Sequence, residues 1–151
     1  MLRRARPEDA AVLAAILRAA MRRAMPSLPE LHTPDDDHRF LSEVVLQNEE
    51  VWVAEVDDAP VGFLALGSRG GVDFLQHLYV APQYQRRGLG TELVGRAKER
   101  RPRGFRLWVF QGNTGARHFY EHHGLRLIEV TDGSGNEERE PDALYEWVPA
   151  P

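Results

Sequence analysis

Apolar residues recur at two different intervals along this chain, and the change of interval divides it. Between residues 7 and 24, Leu13, Ile16, Leu17, Ala20, Met21 and Ala24 follow at three- and four-residue steps, the spacing of one helix face. Pro7, Glu8 and Asp9 supply the proline and acids favoured in a first helical turn. Met25-Pro-Ser-Leu-Pro ends that helix. Thr33 reads as the N-cap of a second helix reaching residue 47, with Pro34 at its first position and Asp35 and Asp36 on the positive end of its dipole. Phe40, Leu41, Val44 and Val45 form its apolar stripe.

From residue 51 the period becomes two. Residues 51–56, the turn Asp57-Asp58-Ala59-Pro60, and residues 61–66 predict an antiparallel hairpin, and residues 72–80 a third long strand. Residues 88–101 return to helical spacing through Leu89, Leu93 and Ala97. Phe105, Leu107 and Val109 alternate on a strand, residues 114–123 form a short helix capped by Gly124, and 125–130 and 143–148 are two closing strands. Leu2 to Ala5 is an edge strand. The order predicts a mixed α/β sheet, and without linker or repeat the whole of 1–151 reads as one domain.

Composition narrows the chemistry. Of the residues, 42% are hydrophobic and 28% charged, a globular balance. Cysteine is absent, which excludes disulfides, cysteine-ligated metal and a cysteine nucleophile. A formal charge of −4 gives no global basic field for nucleic acid. Lys98 is the lone lysine among 19 basic residues, an arginine excess in keeping with a GC-rich genome. No apolar run approaches the ~20 residues of a membrane span, and Ala10 to Ala20 lacks a cleavage site after it, so a cytoplasmic protein is expected.

The most informative stretch runs from His77 to Thr91. A strand ends, Gln85, Arg86 and Arg87 follow, and Gly88 and Gly90 open a helix; backbone N–H groups at such a turn make an anion site. A dinucleotide fingerprint would need glycine where Leu93 stands, and no Gly-Lys-Ser/Thr triplet provides a P-loop. Gln85-Arg86-Arg87-Gly88-Leu89-Gly90 resembles the Gln/Arg-x-x-Gly-x-Gly/Ala motif of the Gcn5-related N-acetyltransferase (GNAT) superfamily, and Leu78-Tyr79-Val80-Ala81-Pro82 is similar to what precedes it there. Asn113-Thr-Gly-Ala116-Arg-His-Phe119-Tyr120-Glu121-His-His-Gly124-Leu125 resembles a second segment of that family, with leucine replacing an aromatic at 125.

The resemblance implies a GNAT-like, mostly antiparallel sheet of about six to seven strands with helices on both faces, splayed between the strands at 72–80 and 105–110. It implies acetyl-CoA as cosubstrate, with no metal, a homodimer being compatible with such folds. The pantetheine amides would pair with the backbone around Leu78, Tyr79 and Val80, and the pyrophosphate would rest on the N–H groups of Gln85, Arg86, Arg87, Gly88, Leu89, Gly90 and Thr91. Asn113, Ala116 and Phe119 would line the far side of the arm, and Tyr120 corresponds to the general acid toward the leaving thiolate.

The implied activity is direct acetyl transfer to a primary amine. Freeing an amine of lysine-like pKa at neutral pH costs about 4–5 kcal/mol, so a proton acceptor is needed. Many relatives carry a glutamate where Phe74 stands; simple alternation puts Phe74, Gln76 and Leu78 on one face and Asp73, His77 and Tyr79 on the other, unless a bulge intervenes. His77, Asp73, Glu55 and His32 all remain open as the base. The acidic stretch Asp132 to Asp142 reads either as a solvated loop or as a lip that attracts amines. Arg96, Lys98, Arg100, Arg101, Arg103 and Arg106 read as a solvated helix end, or as a contact for the 3′-phosphate. Two other classes stay in view: a non-catalytic acetyl-CoA sensor or assembly module, and a zinc hydrolase using His118-x-x-Glu121-His122.

Overall fold

The computed structural model describes residues Met1–Pro151. Seven strands form one sheet: β1 (Leu2–Arg4), β2 (Glu50–Val56), β3 (Ala59–Arg69), β4 (Val72–Val80), β5 (Phe105–Phe110), β6 (Arg126–Val130) and β7 (Asp142–Trp147), in the order β1-β2-β3-β4-β5-β7-β6. All neighbours are antiparallel except β4 and β5, which run parallel. The mixed α/β sheet expected from the sequence is therefore present, with seven strands. The β2–β3 turn is tighter than expected: Asp57 and Asp58 alone make it, at φ of 51° and 63°, as a two-residue hairpin turn requires.

Helix α1 (Ala10–Ala24) covers one face of the sheet at β3 and β4, and α2 (Pro34–Arg39) packs against α1. Leu13, Ile16, Leu41, Val45, Val53 and Phe63 form the core there. The first helix starts later than expected, because Pro7–Asp9 is a 3-10 turn. There the buried Asp9 accepts from both Arg3 guanidinium nitrogens at 2.9 Å and from the Arg6 N–H at 2.7 Å. The second helix is not uniform either: Phe40–Val45 is π-helical, and a last turn, α3 (Leu46–Asn48), follows. Leu41 and Val45 are fully buried on this helical segment, and the Phe40 ring lies 5.7 Å from that of His77 on the sheet.

The opposite face carries α4 (Leu89–Arg100) and α5 (Thr114–His122). Leu89, Leu93, Val94 and Ala97 of α4 meet Leu64, Leu66, Leu75, Phe105 and Leu107 of the sheet. Residues buried on both faces of β3 explain its nearly unbroken apolar run. No helix is long and apolar enough to cross a membrane.

Candidate active site

The parallel pair is where the sheet opens. β4 and β5 share one register pair, Phe74↔Arg106, and then diverge. From Phe74 to Val80 that leaves about 20 Å of strand edge without a neighbour. A cleft of about 1320 Å³ fills the opening, larger than most small-ligand sites. Met25, the C-cap of α1, packs on Gly112 at the cleft wall: a Cβ on Gly112 would lie 3.2 Å from its Cε.

Two hydrogen bonds fix which backbone groups face this cleft. Ala81 N–H donates to Val61 O across β3 at 2.8 Å, so the edge of Val80 points the other way. The carbonyl of Val80 indeed faces away from β3, where Gln85 Nε2 donates to it at 3.0 Å. Alternation then puts the N–H and C=O groups of Leu78 and Val80 on the open edge, where all but the Val80 carbonyl, held by Gln85, are free to pair with an extended amide chain.

At the end of β4 the chain turns through a short 3-10 segment, Pro82–Tyr84, into α4. Arg86 and Gly88 both adopt positive φ, 64° and 82°. A left-handed arginine is strained by about 1–2 kcal/mol, and the alternation it produces gathers successive N–H groups into an anion nest. Every backbone N–H from Arg86 to Thr91 lacks an acceptor within the protein, and no side chain caps α4. These donors converge on the positive end of a 12-residue helix dipole.

Most sequence-predicted residues come together here. Leu78, Tyr79, Val80, Gln85, Arg86, Gly88, Gly90, Thr91, Asn113, Ala116, Phe119 and Tyr120 all line the cleft. Two do not. Arg87 stacks its guanidinium over Tyr84 at 5.0 Å, and the Leu89 side chain is buried in the core, so each offers only its N–H. Gln85 also differs from expectation, since its N–H bonds Pro82 O at 3.3 Å and its amide holds Val80. It shapes the site and leaves the anion to its successors. Asn113 caps α5 by accepting from Ala116 N–H at 3.2 Å. Gly90 is required by packing, because a Cβ there would sit 3.0 Å from the Phe119 ring.

Tyr120 is 8% exposed and lines the cleft. Burial raises its pKa above the ordinary phenol value, and nearby Tyr79 adds to the shift. It is therefore a neutral hydroxyl at any working pH, with its proton free to donate into the cleft.

The opposite wall depends on a bulge. Ala65 pairs with His77 and Leu66 with Leu75, leaving Gln76 as the extra residue of β4. Gln76 and His77 consequently project to one face, together with Tyr79 and with Phe74, which pairs with Gly67. The simple alternation expected from the sequence fails at this point. Burial pushes the His77 pKa down to about 4, with Arg69 adding to the effect, while the Tyr79 hydroxyl is pushed up to about 12 by burial and the Glu138 charge. Trp108 and Phe110 of β5 complete this wall.

Other expected candidates lie elsewhere. Glu55 pairs with Arg3 at 3.0 Å, and Asp73 is exposed beside Arg101 at 3.6 Å. His32 binds Glu137 at 2.5 Å, tying the α1–α2 loop to the 131–141 loop at the rim. In the acidic stretch Glu138 alone is half-buried against the cleft without an ion pair, while Asp142 is engaged by Thr131 and Asn136. Arg100 and Arg101 are held by Glu50 and Arg106 by Glu146, so the arginine cluster is largely structural. Glu121, the base of a zinc reading, instead accepts from Tyr145 at 2.6 Å. Sequence reasoning missed Arg69, Trp108 and Glu49. Glu49 and Glu50 sit side by side at a strand entrance, so one of them had to turn inward, which was the available signal.

A splayed sheet with an open strand edge and an anion nest at its mouth defines the GNAT class of α/β folds. The family model described as an acetyltransferase (GNAT) domain matches residues 47–126, and the chain belongs to that family of acyltransferases. It is 36% identical over 98 residues to an uncharacterized N-acetyltransferase of Archaeoglobus fulgidus, covering 58% of this chain and 66% of that protein. It is 28% identical over 128 residues to the peptidyl-lysine N-acetyltransferase YiaC of Escherichia coli, covering 76% and 85%. A second archaeal relative is matched over only 41% of its length. In fold, it superposes on the PaiA N-acetyltransferase of Thermoplasma acidophilum in complex with coenzyme A with a TM-score of 0.80, at 21% identity over 99% of this chain and 98% of that one.

Proposed function

We propose that this protein is an acetyl-CoA-dependent N-acetyltransferase that acylates a primary amine directly. The observation that carries the reading is the pairing of two backbone devices: the open β4 edge at Leu78 and Val80, and the unsatisfied N–H groups from Arg86 to Thr91. The first suits the amides of a pantetheine arm, the second its diphosphate, and they adjoin in one cleft.

When bound, the thioester supplies an activated acetyl group. The Leu78 N–H, the last donor on the open edge before the bulge, is placed to donate to negative charge developing on the acyl oxygen. Tyr120 donates its hydroxyl hydrogen toward the departing sulfur; since its pKa lies well above that of a thiol, hydrogen bonding is its main contribution. Glu138 and the aromatic wall of Tyr79 and Trp108 draw an ammonium group to the opposite side. Lysine-bearing peptides head the list of acceptors, supported by the likeness to YiaC.

Calorimetry with acetyl-CoA and assay of CoA release with peptides and small amines test this. Micromolar binding and turnover are expected. Absence of binding at micromolar concentration overturns the reading, and tight binding without turnover on any amine turns it into a sensor.

A further inference from the structure

Two polar atoms on the α1 face of the sheet are satisfied by nothing in the protein. His77 Nδ1 and Glu49 Oε1 are both sealed from solvent and have no hydrogen-bond partner. Buried polar atoms are almost always paired, so two orphans on one face ask for an explanation.

They share a neighbourhood. Glu49 leaves α3 in extended backbone, φ −123° and ψ 159°, and since Glu50 pairs with Leu66, Glu49 continues the ladder opposite Gly67. Gly67 has no side chain; the place its Cβ would take lies 3.3 Å from Glu49 Cγ and 3.3 Å from Gln76 Cγ. The carboxyl thus leans over a gap toward the residue next to His77. Arg69 acts on the charge of both groups and is itself held by Gln76 Oε1 at 3.1 Å.

His77 also stands where the acyl carbon has to arrive. The open edge of β4 runs from Val80 to Leu78 and ends at the bulge that turns His77 into the cleft. Its ring is fixed by Phe40 at 5.7 Å, Tyr79 at 5.9 Å and Phe63 at 6.5 Å, and unlike Nδ1 its Nε2 is not sealed.

We propose that His77 accepts the proton released by the acceptor amine at Nε2 and passes its Nδ1 proton to Glu49, whose carboxylate swings over the Gly67 gap past Gln76 to receive it. This rests on the acetyltransferase reading. An incoming ammonium loses two protons: one is matched by the thiol formed with the help of Tyr120, and the other takes this path. The N–H bond breaks with its electron pair kept on the new amide nitrogen, the ring stays neutral with its tautomer exchanged, and the cycle closes when Nε2 loses its proton to the open cleft as Glu49 returns the other to Nδ1.

The titration behaviour agrees. His77 remains neutral above its lowered pKa, so it is an acceptor throughout the physiological range. Burial raises the Glu49 pKa to about 7 against the opposing pull of Arg69, so Glu49 gains its accepting form as pH rises through neutrality. The other charged groups facing the pair are Arg23 across the cleft and Glu138 beyond Tyr79.

The test is the pH profile of kcat/KM with a lysine peptide. The native protein is expected to show a limb rising through pH 7. Glu49→Gln should remove that limb and lower kcat about 10-fold without changing the acetyl-CoA Kd, whereas Glu43→Gln, at an exposed site, should retain it. His77→Gln should lower kcat about 100-fold at unchanged acetyl-CoA affinity. Nitrogen NMR of His77 supplies a readout independent of turnover: the Nδ1–H tautomer is expected, and should lose its dominance in Glu49→Gln. Persistence of the limb in Glu49→Gln, or an Nε2–H tautomer in the native protein, overturns the relay. Absence of turnover with all amines would instead sink the acetyltransferase reading, and the tautomer would still decide the proton path.

Discussion

The two walls of the cleft recognise their ligands by different means. On the α4–α5 side the work falls to the main chain: N–H groups from Arg86 to Thr91 and the edge of Leu78 and Val80. On the α1–α2 side it falls to side chains, namely His77, aimed by a bulge, with Tyr79, Trp108 and Glu138. A backbone site needs only a turn of the right shape, so it tolerates any side chain that leaves the turn intact. A side-chain site changes its ligand with a single substitution. The first wall therefore suits an invariant cosubstrate, and the second an acceptor that differs from one relative to another.

The contrast can be broken or sharpened by experiment. The largest effect is expected where the backbone wall contributes its one chemical side chain: Tyr120→Phe should reduce kcat about 100-fold or more, with the KM for acetyl-CoA nearly unchanged, in steady-state assays. Next is Gly90→Val, which forces a side chain into the Phe119 ring; overpacking of about 1–3 kcal/mol should weaken acetyl-CoA by roughly 10- to 100-fold by calorimetry. Gln85→Ala releases the Val80 carbonyl and should raise that Kd only about 3- to 10-fold, the worth of one net hydrogen bond. Smallest is Arg87→Ala, expected to stay within about twofold, because the guanidinium rests on Tyr84 and only the N–H serves the anion. A large loss from Arg87→Ala would show that side-chain charge holds the diphosphate and would erase the distinction.

The same division governs what the sequence reveals. The backbone wall is legible because its geometry is written in glycine: Gly88 at positive φ and Gly90 against Phe119 are demanded by sterics, and the spacing betrays them. The strand order around it follows from periodicity. The acceptor wall is not legible, because its key event, one extra residue at Gln76, leaves no mark on the alternation of β4 and reverses the faces read from it. Glu49 is hidden for another reason, since its importance comes from a missing side chain two strands away in sequence, at Gly67. The π-helical turn at Phe40–Val45 likewise keeps the apolar spacing of an ordinary helix while moving Phe40 onto His77.

The single register pair between β4 and β5 has a consequence for the chain before it meets any ligand. Unpaired strand edges invite foreign strands, and proteins usually defuse them at the rim of a sheet with charge, proline or a twist. Here the raw edge lies at the centre of the sheet, where such guards would block the very groups that must bind. On the proposed function, the cosubstrate doubles as the missing strand. Without a ligand chain laid along it, the sheet keeps an unpaired edge through its middle.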